Sequence, residues 1–369
     1  MNILSIKARE ILDSRGSWTV EVDLETTQGV FTDSTPSGAS TGRYEAKTVA
    51  PEIAVKNINN AVFSELKGKD VLDQRGIDEI LKKLNVGANA ATAVSMAVCR
   101  AGAADRSLSL WQYIKEILNL KSEILNLPKP CFNMINGGAH ATNNLDFQEF
   151  MVVCSIPRAV EIYQDLRKKL GKNVGDEGGF APPFKFPEEA LDLISDYKSD
   201  IIIDVAASQF FDGKIYKTKM GDFTAEGLSR YYDGLIKKYP IIALEDPFSE
   251  NDEEGWRMFS AKILKIGDDL LVTNPERIKM AHENNLCSGL LLKVNQIGTI
   301  SEALEAAKLA KSYGWKIMVS HRSGETNDDF IADLAVGIGA DYIKSGAPAR
   351  GERTAKYNRL LKIEEEWQN

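Results

Sequence analysis

One repeated pattern in the second half of the chain restricts its fold more than any other feature. From about residue 200, short runs of Ile, Leu and Val end abruptly in a charged or polar residue, and a helical segment follows. From Glu245 onward the successive run ends lie 23 to 28 residues apart, which suits one strand, one helix and two short loops. Continuous apolar strands are typical of a parallel sheet that helices cover. The residues that end these runs are Asp204, Glu245, Asp268, Lys293, His321 and Lys344.

A series of similar βα units indicates either a β/α barrel or a doubly wound sheet. Both folds carry their chemistry at the carboxyl ends of the strands. No G-x-G-x-x-G motif follows a strand in this chain, which argues against a dinucleotide-binding fold. The pattern therefore favours the barrel.

The first part of the chain has a different organisation. Residues 19–24 alternate between apolar and polar side chains, and turn residues flank them, so we expect a small antiparallel meander over residues 3–34. Residues 87–98 are small and apolar nearly all round, as in a buried helix. The prolines at 128 and 130 stop any helix. We therefore predict two domains, an α+β domain over 1–126 and a barrel domain over 127–369.

Composition excludes several classes of protein. The 45 Lys and Arg residues against 53 Asp and Glu residues give a net charge of −8, which argues against nucleic acid as the main partner. No apolar run approaches the ~20 residues of a membrane span, and the N-terminus lacks a signal-peptide core. Four widely spaced cysteines without a C-x-x-C pair indicate reduced thiols in a cytoplasmic protein and no zinc site.

Carboxylates end three successive barrel runs, at Asp204, Glu245 and Asp268. On neighbouring strands such side chains converge, and they repel one another strongly unless a divalent cation neutralises them. An all-oxygen set of ligands suits Mg²⁺ rather than zinc or copper. The alternative is that each acid caps the helix that follows its strand. Three acids in sequence, each at a strand end, favour the metal site.

The later run ends supply positive charge. Lys293 lies where a metal and a second cation would lower its pKa, so it is a candidate base, and Lys344 ends the last run. The alternative for either lysine is a salt bridge that holds the carboxylates together. Arg322, within the segment 320–324, offers a guanidinium beside hydroxyl groups, which suits the binding of phosphate or carboxylate.

Three earlier segments add polar groups. Glu177 lies in the glycine-flanked acidic segment 175–179, where the backbone can approach a ligand, although a tight surface turn is the alternative. Residues 136–140 form another glycine turn, which ends in His140. Residues 36–42 resemble a loop able to fold over a site, or else an ordinary linker.

With these motifs assembled, the chain closely resembles the enolase family, the phosphopyruvate hydratases. The matching stretches run in order through nearly the whole chain, and motifs of this length and number are highly specific. They are residues 11–16, 36–42, 87–90, 135–138, 148–151, 173–182, 204–208, 245–248, 267–270, 292–298, 320–326 and 344–350.

The resemblance implies an α/β fold, a modified β/α (TIM-like) barrel that opens with an irregular ββαα segment and carries an N-terminal α+β cap domain. It implies reversible dehydration of 2-phosphoglycerate to phosphoenolpyruvate in glycolysis and gluconeogenesis. Lys293 resembles the base that removes the C2 proton, and Glu177, assisted by Glu149, the acid that protonates the departing hydroxyl. The resemblance further implies a first magnesium ion held by Asp204, Glu245 and Asp268, a second held by Ser40, and a substrate held by His140, Gln148, Glu149, Glu245, Asp268, His321, Arg322, Ser323 and Lys344.

The resemblance also implies a cytoplasmic homo-oligomer, either a dimer or an assembly of dimers, with neither nucleic acid nor a membrane as partner. The chain is shorter than typical members, and the segment after Phe211 resembles part of a loop that closes over the site. A dehydratase or racemase for other acids is the first rival, and the phosphate-suited Arg322 and Ser323 argue against it. The second is a catalytically silent homologue that binds or supports other molecules; the filled catalytic positions argue against it.

Overall fold

The predicted meander forms an antiparallel sheet at the start of the chain. A computed structural model describes residues 1–38, 42–120 and 127–368. Strands β1 (Ser5–Leu12), β2 (Trp18–Thr26) and β3 (Gly29–Ser34) pair in that order. Val20, Val22 and Leu24 are fully buried on one face of β2, as their alternation predicts.

Helices cover this sheet. The most buried one contains many Ala residues, whose small side chains allow close packing against β2 and β3. The predicted helix over residues 87–98 is thereby confirmed and extends further. The helices are α1 (Pro51–Asn57), which continues through a π-helical turn at Ile58–Val62 into α2 (Phe63–Leu66), then α3 (Gln74–Leu84), α4 (Ala88–Asp105) and α5 (Leu110–Ile117).

The rest of the chain forms a closed eight-stranded barrel, which confirms the predicted fold class. Its strands follow the order β10-β11-β12-β13-β4-β5-β6-β9 around the barrel. β5 runs antiparallel to β4 and β6, and the other neighbours are parallel. The strands are β4 (Lys129–Asn136), β5 (Glu149–Val153), β6 (Asp200–Asp204), β9 (Ile241–Glu245), β10 (Leu264–Gly267), β11 (Gly289–Leu292), β12 (Lys316–Ser320) and β13 (Tyr342–Lys344); β7 (Tyr216–Thr218) and β8 (Gly221–Phe223) form a separate hairpin.

Two helices follow β5 before the regular repeat begins, so the barrel opens with the expected ββαα segment. Local signals in the sequence explain several boundaries. The side chain of Thr299, for example, accepts a hydrogen bond from the backbone N–H of Glu302 and starts α12. The helices are α6 (Ile156–Leu170), α7 (Pro187–Ser195), α8 (Ala225–Lys238), α9 (Glu253–Met258), α10 (Pro275–Glu283), α11 (Val294–Ile297), α12 (Ile300–Ser312), α13 (Phe330–Gly337) and α14 (Gly351–Gln368).

The two-residue period of a strand places the functional side chains. One cluster of buried side chains belongs to the barrel strands alone and is separate from the large cluster formed with the outer helices. Ile202, Ala243 and Ile266 belong to this cluster, and each precedes one of the three predicted carboxylates by two residues. Because alternate residues of a strand share a face, the carboxylates extend this interior layer toward the carboxyl end of the barrel. The remaining members are Cys131, Met151, Val153, Leu291 and Met318.

The meander domain is joined to the barrel at this same end. Ser37 and Gly324 exchange two backbone hydrogen bonds of 2.7 and 2.8 Å. Arg100 of α4 forms ion pairs with Asp33 of β3 and with Asp328 of the barrel domain. The predicted boundary at residues 126 and 127 adjoins residues 121–126, outside the described part, and stays a prediction. Within the described part, no helix is both long and apolar enough to cross a membrane.

Candidate active site

The three predicted carboxylates lie at the carboxyl ends of adjacent strands. Asp204 is paired in register with Glu245, and Glu245 with Ile266, so Asp268 follows one residue beyond the end of the neighbouring strand. Asp204 and Glu245 are buried, and Asp268 is half-buried. Burial, together with the charge of Asp204, raises the pKa of Glu245 well above its usual range. The three strand ends that carry these carboxylates are therefore neighbours in the barrel.

A buried lysine lies among these acids. The Nζ atom of Lys344 lies 2.8 Å from Glu245 Oε1 and 3.3 Å from both Asp204 Oδ2 and Glu149 Oε1. Burial alone would lower the pKa of Lys344, but the surrounding carboxylates raise it well above its usual value. Lys344 is therefore a fixed cation in the centre of the site.

Lys293, the predicted base, contacts the third carboxylate. It follows β11, and its Nζ atom lies 2.5 Å from Asp268 Oδ2. Burial would lower the pKa of Lys293, as would Arg322 and Lys344, but Asp268 opposes them and the pKa is raised. With Asp268 as its partner, Lys293 is an ammonium ion, so it can accept a proton only after that pairing weakens.

The predicted acids form a group on another wall of the site. His140 Nδ1 lies 3.3 Å from Glu177 Oε1 and 3.9 Å from Glu149 Oε1. Burial and the charge of Glu177 raise the pKa of Glu149 to about 8. Burial would also raise the pKa of Glu177, but His140 and His321 lower it well below its usual range. These shifts favour the protonated form of Glu149 and the ionised form of Glu177 at neutral pH.

Arg353 fixes the orientation of His321. Its Nη1 atom lies 2.6 Å from His321 Nδ1, and because an arginine only donates, Nδ1 accepts and the ring proton lies on Nε2. His321 Nε2 is 3.4 Å from Glu177 Oε1. Burial lowers the pKa of His321 well below its ordinary value, so the ring is neutral.

Arg322 and Ser323 lie where the meander domain meets the barrel. Arg322 forms a bidentate ion pair with Glu45, with both Nη–O distances 3.1 Å. Ser323 Oγ accepts a 3.3 Å hydrogen bond from Arg15, which also donates to the carbonyl of Gly38. The segment that follows β12 is therefore held by contacts from the meander domain.

One polar cavity collects nearly all of the predicted residues. Glu245 does not line it; its buried carboxylate accepts a hydrogen bond from Lys344, which does line the cavity. Ser40 lies outside the described residues. The predicted residues that line the cavity are His140, Gln148, Glu149, Glu177, Asp204, Asp268, Lys293, His321, Arg322, Ser323 and Lys344.

The site has the donor chemistry for a hard divalent cation. Glu149 Oε2 is buried and receives no hydrogen bond within the described part of the chain, whereas Glu245 Oε2 lies 2.8 Å from Lys344 Nζ. The three predicted metal ligands do not offer oxygen atoms that all lie within 4.8 Å of one another. Lys344 contacts Asp204 and Glu245, and Lys293 contacts Asp268. The tight groups among the described residues are His140, Glu149 and Glu177, and Asp246, Asp268 and Asp269. Oxygen ligands with excess negative charge fit magnesium better than zinc.

Several residues at or around this site are missing from the sequence prediction, and four of them contact predicted residues. Arg353 lies on α14 and Arg15 in the meander domain, and neither ends a barrel strand. Asn133 of β4 donates a 2.9 Å hydrogen bond to Glu177 Oε2. The two-residue period of a strand could have identified Asn133, because it lies two residues after the interior residue Cys131. Glu45 lies three residues beyond the glycine-containing segment 36–42.

Comparison with known proteins agrees with this geometry. Residues 124–369 match the family model described as the enolase C-terminal TIM barrel domain, and residues 3–114 match the enolase N-terminal domain. The chain is 46% identical to an enolase of Mastigamoeba balamuthi and to enolase B of Dictyostelium discoideum, over 99% of this chain and 95% of each relative. It is 44% identical to an enolase of Eimeria tenella, over 99% of this chain and 96% of that protein. The chain belongs to the enolase family.

Proposed function

We propose how this site performs the reaction of its family. As an enolase the chain is a hydro-lyase, a phosphopyruvate hydratase, which converts 2-phosphoglycerate reversibly into phosphoenolpyruvate in glycolysis. The supporting observation is the arrangement of the barrel: β11, which leads to Lys293, and β5, which begins with Glu149, lie four strands apart in a barrel of eight. A base and an acid therefore face each other across one cavity.

Lys293 removes the proton from C2 of the substrate. The proton is adjacent to a carboxylate, so its removal adds negative charge to a group that is already anionic. Arg322 and Lys344 both act to lower the pKa of Lys293, and Asp268 opposes them. Lys293 can act as a base once Asp268 interacts with another cation, because its ion pair with Lys293 then weakens and the pKa of Lys293 falls.

Glu177 protonates the departing C3 hydroxyl, with Glu149 as its partner. Hydroxide is a poor leaving group, so the site must supply a proton on the side opposite the base. The two carboxyls and His140 lie within a few ångströms, and the raised pKa of Glu149 favours a proton on that carboxyl when the site is free. We infer that substrate binding moves this proton to Glu177.

The remaining residues bind and orient the substrate. Arg322 and Ser323 hold the phosphate, because a planar guanidinium beside a hydroxyl suits its oxygens. Lys344 offsets the charge of the substrate carboxylate, while Gln148 is anchored by a 3.1 Å hydrogen bond from its Nε2 atom to Asp204. His140 and His321 flank Glu177 and complete the set.

The enolase family implies a divalent cation, and we propose that it is Mg²⁺, with two ions per site. Asp204, Glu245 and Asp268 would hold the first, and Ser40 would contribute to the second. The ions would supply positive charge that offsets the extra negative charge developed on the substrate carboxylate. The buried Glu149 Oε2, which receives no hydrogen bond from the described residues, supports a cation here.

We further propose a cytoplasmic homo-oligomer, a dimer or an assembly of dimers, whose partner is the small-molecule substrate rather than nucleic acid. The acidic composition and the likeness to enolases over both domains support this proposal. Analytical ultracentrifugation would contradict it by giving the mass of a single chain at micromolar concentration.

The reaction is tested with purified protein, 2-phosphoglycerate and Mg²⁺, by following the ultraviolet absorbance of phosphoenolpyruvate. We expect turnover that disappears in EDTA and returns when Mg²⁺ is restored. A folded wild-type protein without turnover would instead favour the catalytically silent homologue.

A further inference from the structure

Glu45 belongs to the meander domain, yet its side chain reaches the proposed phosphate-binding arginine of the barrel. Its two carboxylate oxygens lie 3.1 Å from the two Nη atoms of Arg322. Both side chains are nearly fully buried, with 9% of Glu45 and 5% of Arg322 exposed. A bidentate pair of this kind fixes the plane of the guanidinium as well as its position.

The same carboxylate holds two further parts of the site. Glu45 Oε1 accepts a 3.0 Å hydrogen bond from the backbone N–H of Gly42, at the end of the segment 36–42. It also lies 3.5 Å from Gln296 Nε2, which donates a 2.8 Å hydrogen bond to Asp268 Oδ1. Glu45 thus connects Arg322 to the end of this segment and, through Gln296, to a proposed metal ligand.

We propose that Glu45 is a positioning residue for the substrate phosphate, an inference that rests on the proposed function of Arg322. Glu45 and Asn295, whose Oδ1 atom accepts a 3.3 Å hydrogen bond from Arg322 Nη1, hold the guanidinium in one orientation. A guanidinium held in one plane presents its planar set of N–H donors to phosphate oxygens in a fixed direction. The alternative is that Glu45 acts as a competing anion, which pairs with Arg322 until the substrate phosphate displaces it.

The two roles predict opposite effects of Glu45→Gln, which removes the charge but keeps the shape. If Glu45 positions Arg322, we expect the KM for 2-phosphoglycerate to rise at least tenfold while kcat falls less than threefold. A KM that is unchanged or lower would overturn the proposal, because removal of a competing anion strengthens phosphate binding. Glu79→Gln is the matched control, since Glu79 lies in the same domain in an exposed pair with Arg75.

Glu45→Asp separates geometry from charge. It keeps the carboxylate but shortens the side chain by one methylene, so the bidentate contact is lost and the KM should rise as it does for Glu45→Gln. A wild-type KM in Glu45→Asp would overturn the proposal, and this variant decides the matter should Glu45→Gln fail to fold.

Calorimetric titration with 2-phosphoglycerate in Mg²⁺ keeps this test independent of turnover. We expect a Kd at least tenfold weaker in both Glu45 variants, whereas equal Kd values in wild type and variants would overturn the proposal. A wild-type protein that binds 2-phosphoglycerate without converting it would contradict the proposed reaction, and the Kd comparison would still decide the role of Glu45.

Discussion

Replacement of Lys344 by Met tests the charge balance of the site most severely. The side chain is about 2% exposed and is paired with three carboxylates, which are 0 to 3% exposed. Met has a similar length and stays apolar, so the change removes the charge with little loss of packing. Glu149, Asp204 and Glu245 would then be buried together without this counter-charge.

The expected cost follows from the burial. Removal of one partner from a buried ion pair typically destabilises a protein by about 3–5 kcal/mol. Protonation of one of the carboxyls would limit that cost, because it removes one of the buried negative charges. Mg²⁺ should therefore restore part of the lost stability, since it would neutralise the same oxygens.

Urea unfolding in EDTA, followed by tryptophan fluorescence, measures the change in the free energy of unfolding. Lys316→Met is the control, because Lys316 is 58% exposed and pairs with Asp341 at the surface. An exposed pair contributes about 0.2–1 kcal/mol, so the control should lose no more than that. Equal losses for Lys344→Met and Lys316→Met, or no recovery in Mg²⁺, would refute the reasoning.

Three further outcomes are expected. Lys293→Ala should abolish turnover but leave Mg²⁺ binding, measured by calorimetry, largely intact; loss of metal binding would make Lys293 a structural partner of Asp268. Glu149 has a folded pKa of about 8, above its usual value, so its favourable contribution to stability is complete below about pH 4.5 and is lost as pH rises to 8. Metal-free wild type should thus lose stability relative to Glu149→Gln by up to about 1.4 kcal/mol per pH unit in that range, and parallel pH curves would contradict this. Arg353→Met removes the donor to His321 Nδ1. The activation free energy derived from kcat should change more than the free energy of unfolding measured in urea with Mg²⁺, and a wild-type kcat would mean that His321 does not depend on Arg353.

The barrel could be predicted from the sequence because its signal is local. Each barrel strand from β6 onward is a short, largely apolar run that ends in or leads into a charged or polar residue, and the two-residue period then places Asp204, Glu245 and Asp268 beside the interior cluster. The irregular ββαα opening, to which β5 belongs, is expected only from the family resemblance, since the apolar run of β5 resembles that of any buried strand.

Contacts between distant segments could not be predicted from such local patterns. Glu45 and Arg322 are 277 residues apart, and Arg353 reaches back 32 residues to His321. Nothing in the composition around Glu45 or Arg353 distinguishes them from solvent-exposed charges of ordinary helices and loops. Their roles depend on the docking of the meander domain and of α14 against the barrel end.

The protonation states also depend on contacts between residues that are far apart in the sequence. Sequence reasoning expected Lys293 to have a lowered pKa beside other cations, but the contact with Asp268 raises it in the metal-free protein. Which of Glu149 and Glu177 holds the proton likewise depends on His140 and His321, which come from two different loops. Such balances are set by tertiary contacts of a few ångströms.

The most direct measurement is the Mg²⁺-dependent conversion of 2-phosphoglycerate by wild type and by Lys293→Ala, with solvent exchange of the C2 proton followed by NMR. The site described here predicts turnover and C2 exchange in wild type, and neither in the folded, metal-binding variant. C2 exchange that persists in Lys293→Ala would contradict the assignment of Lys293 as the base.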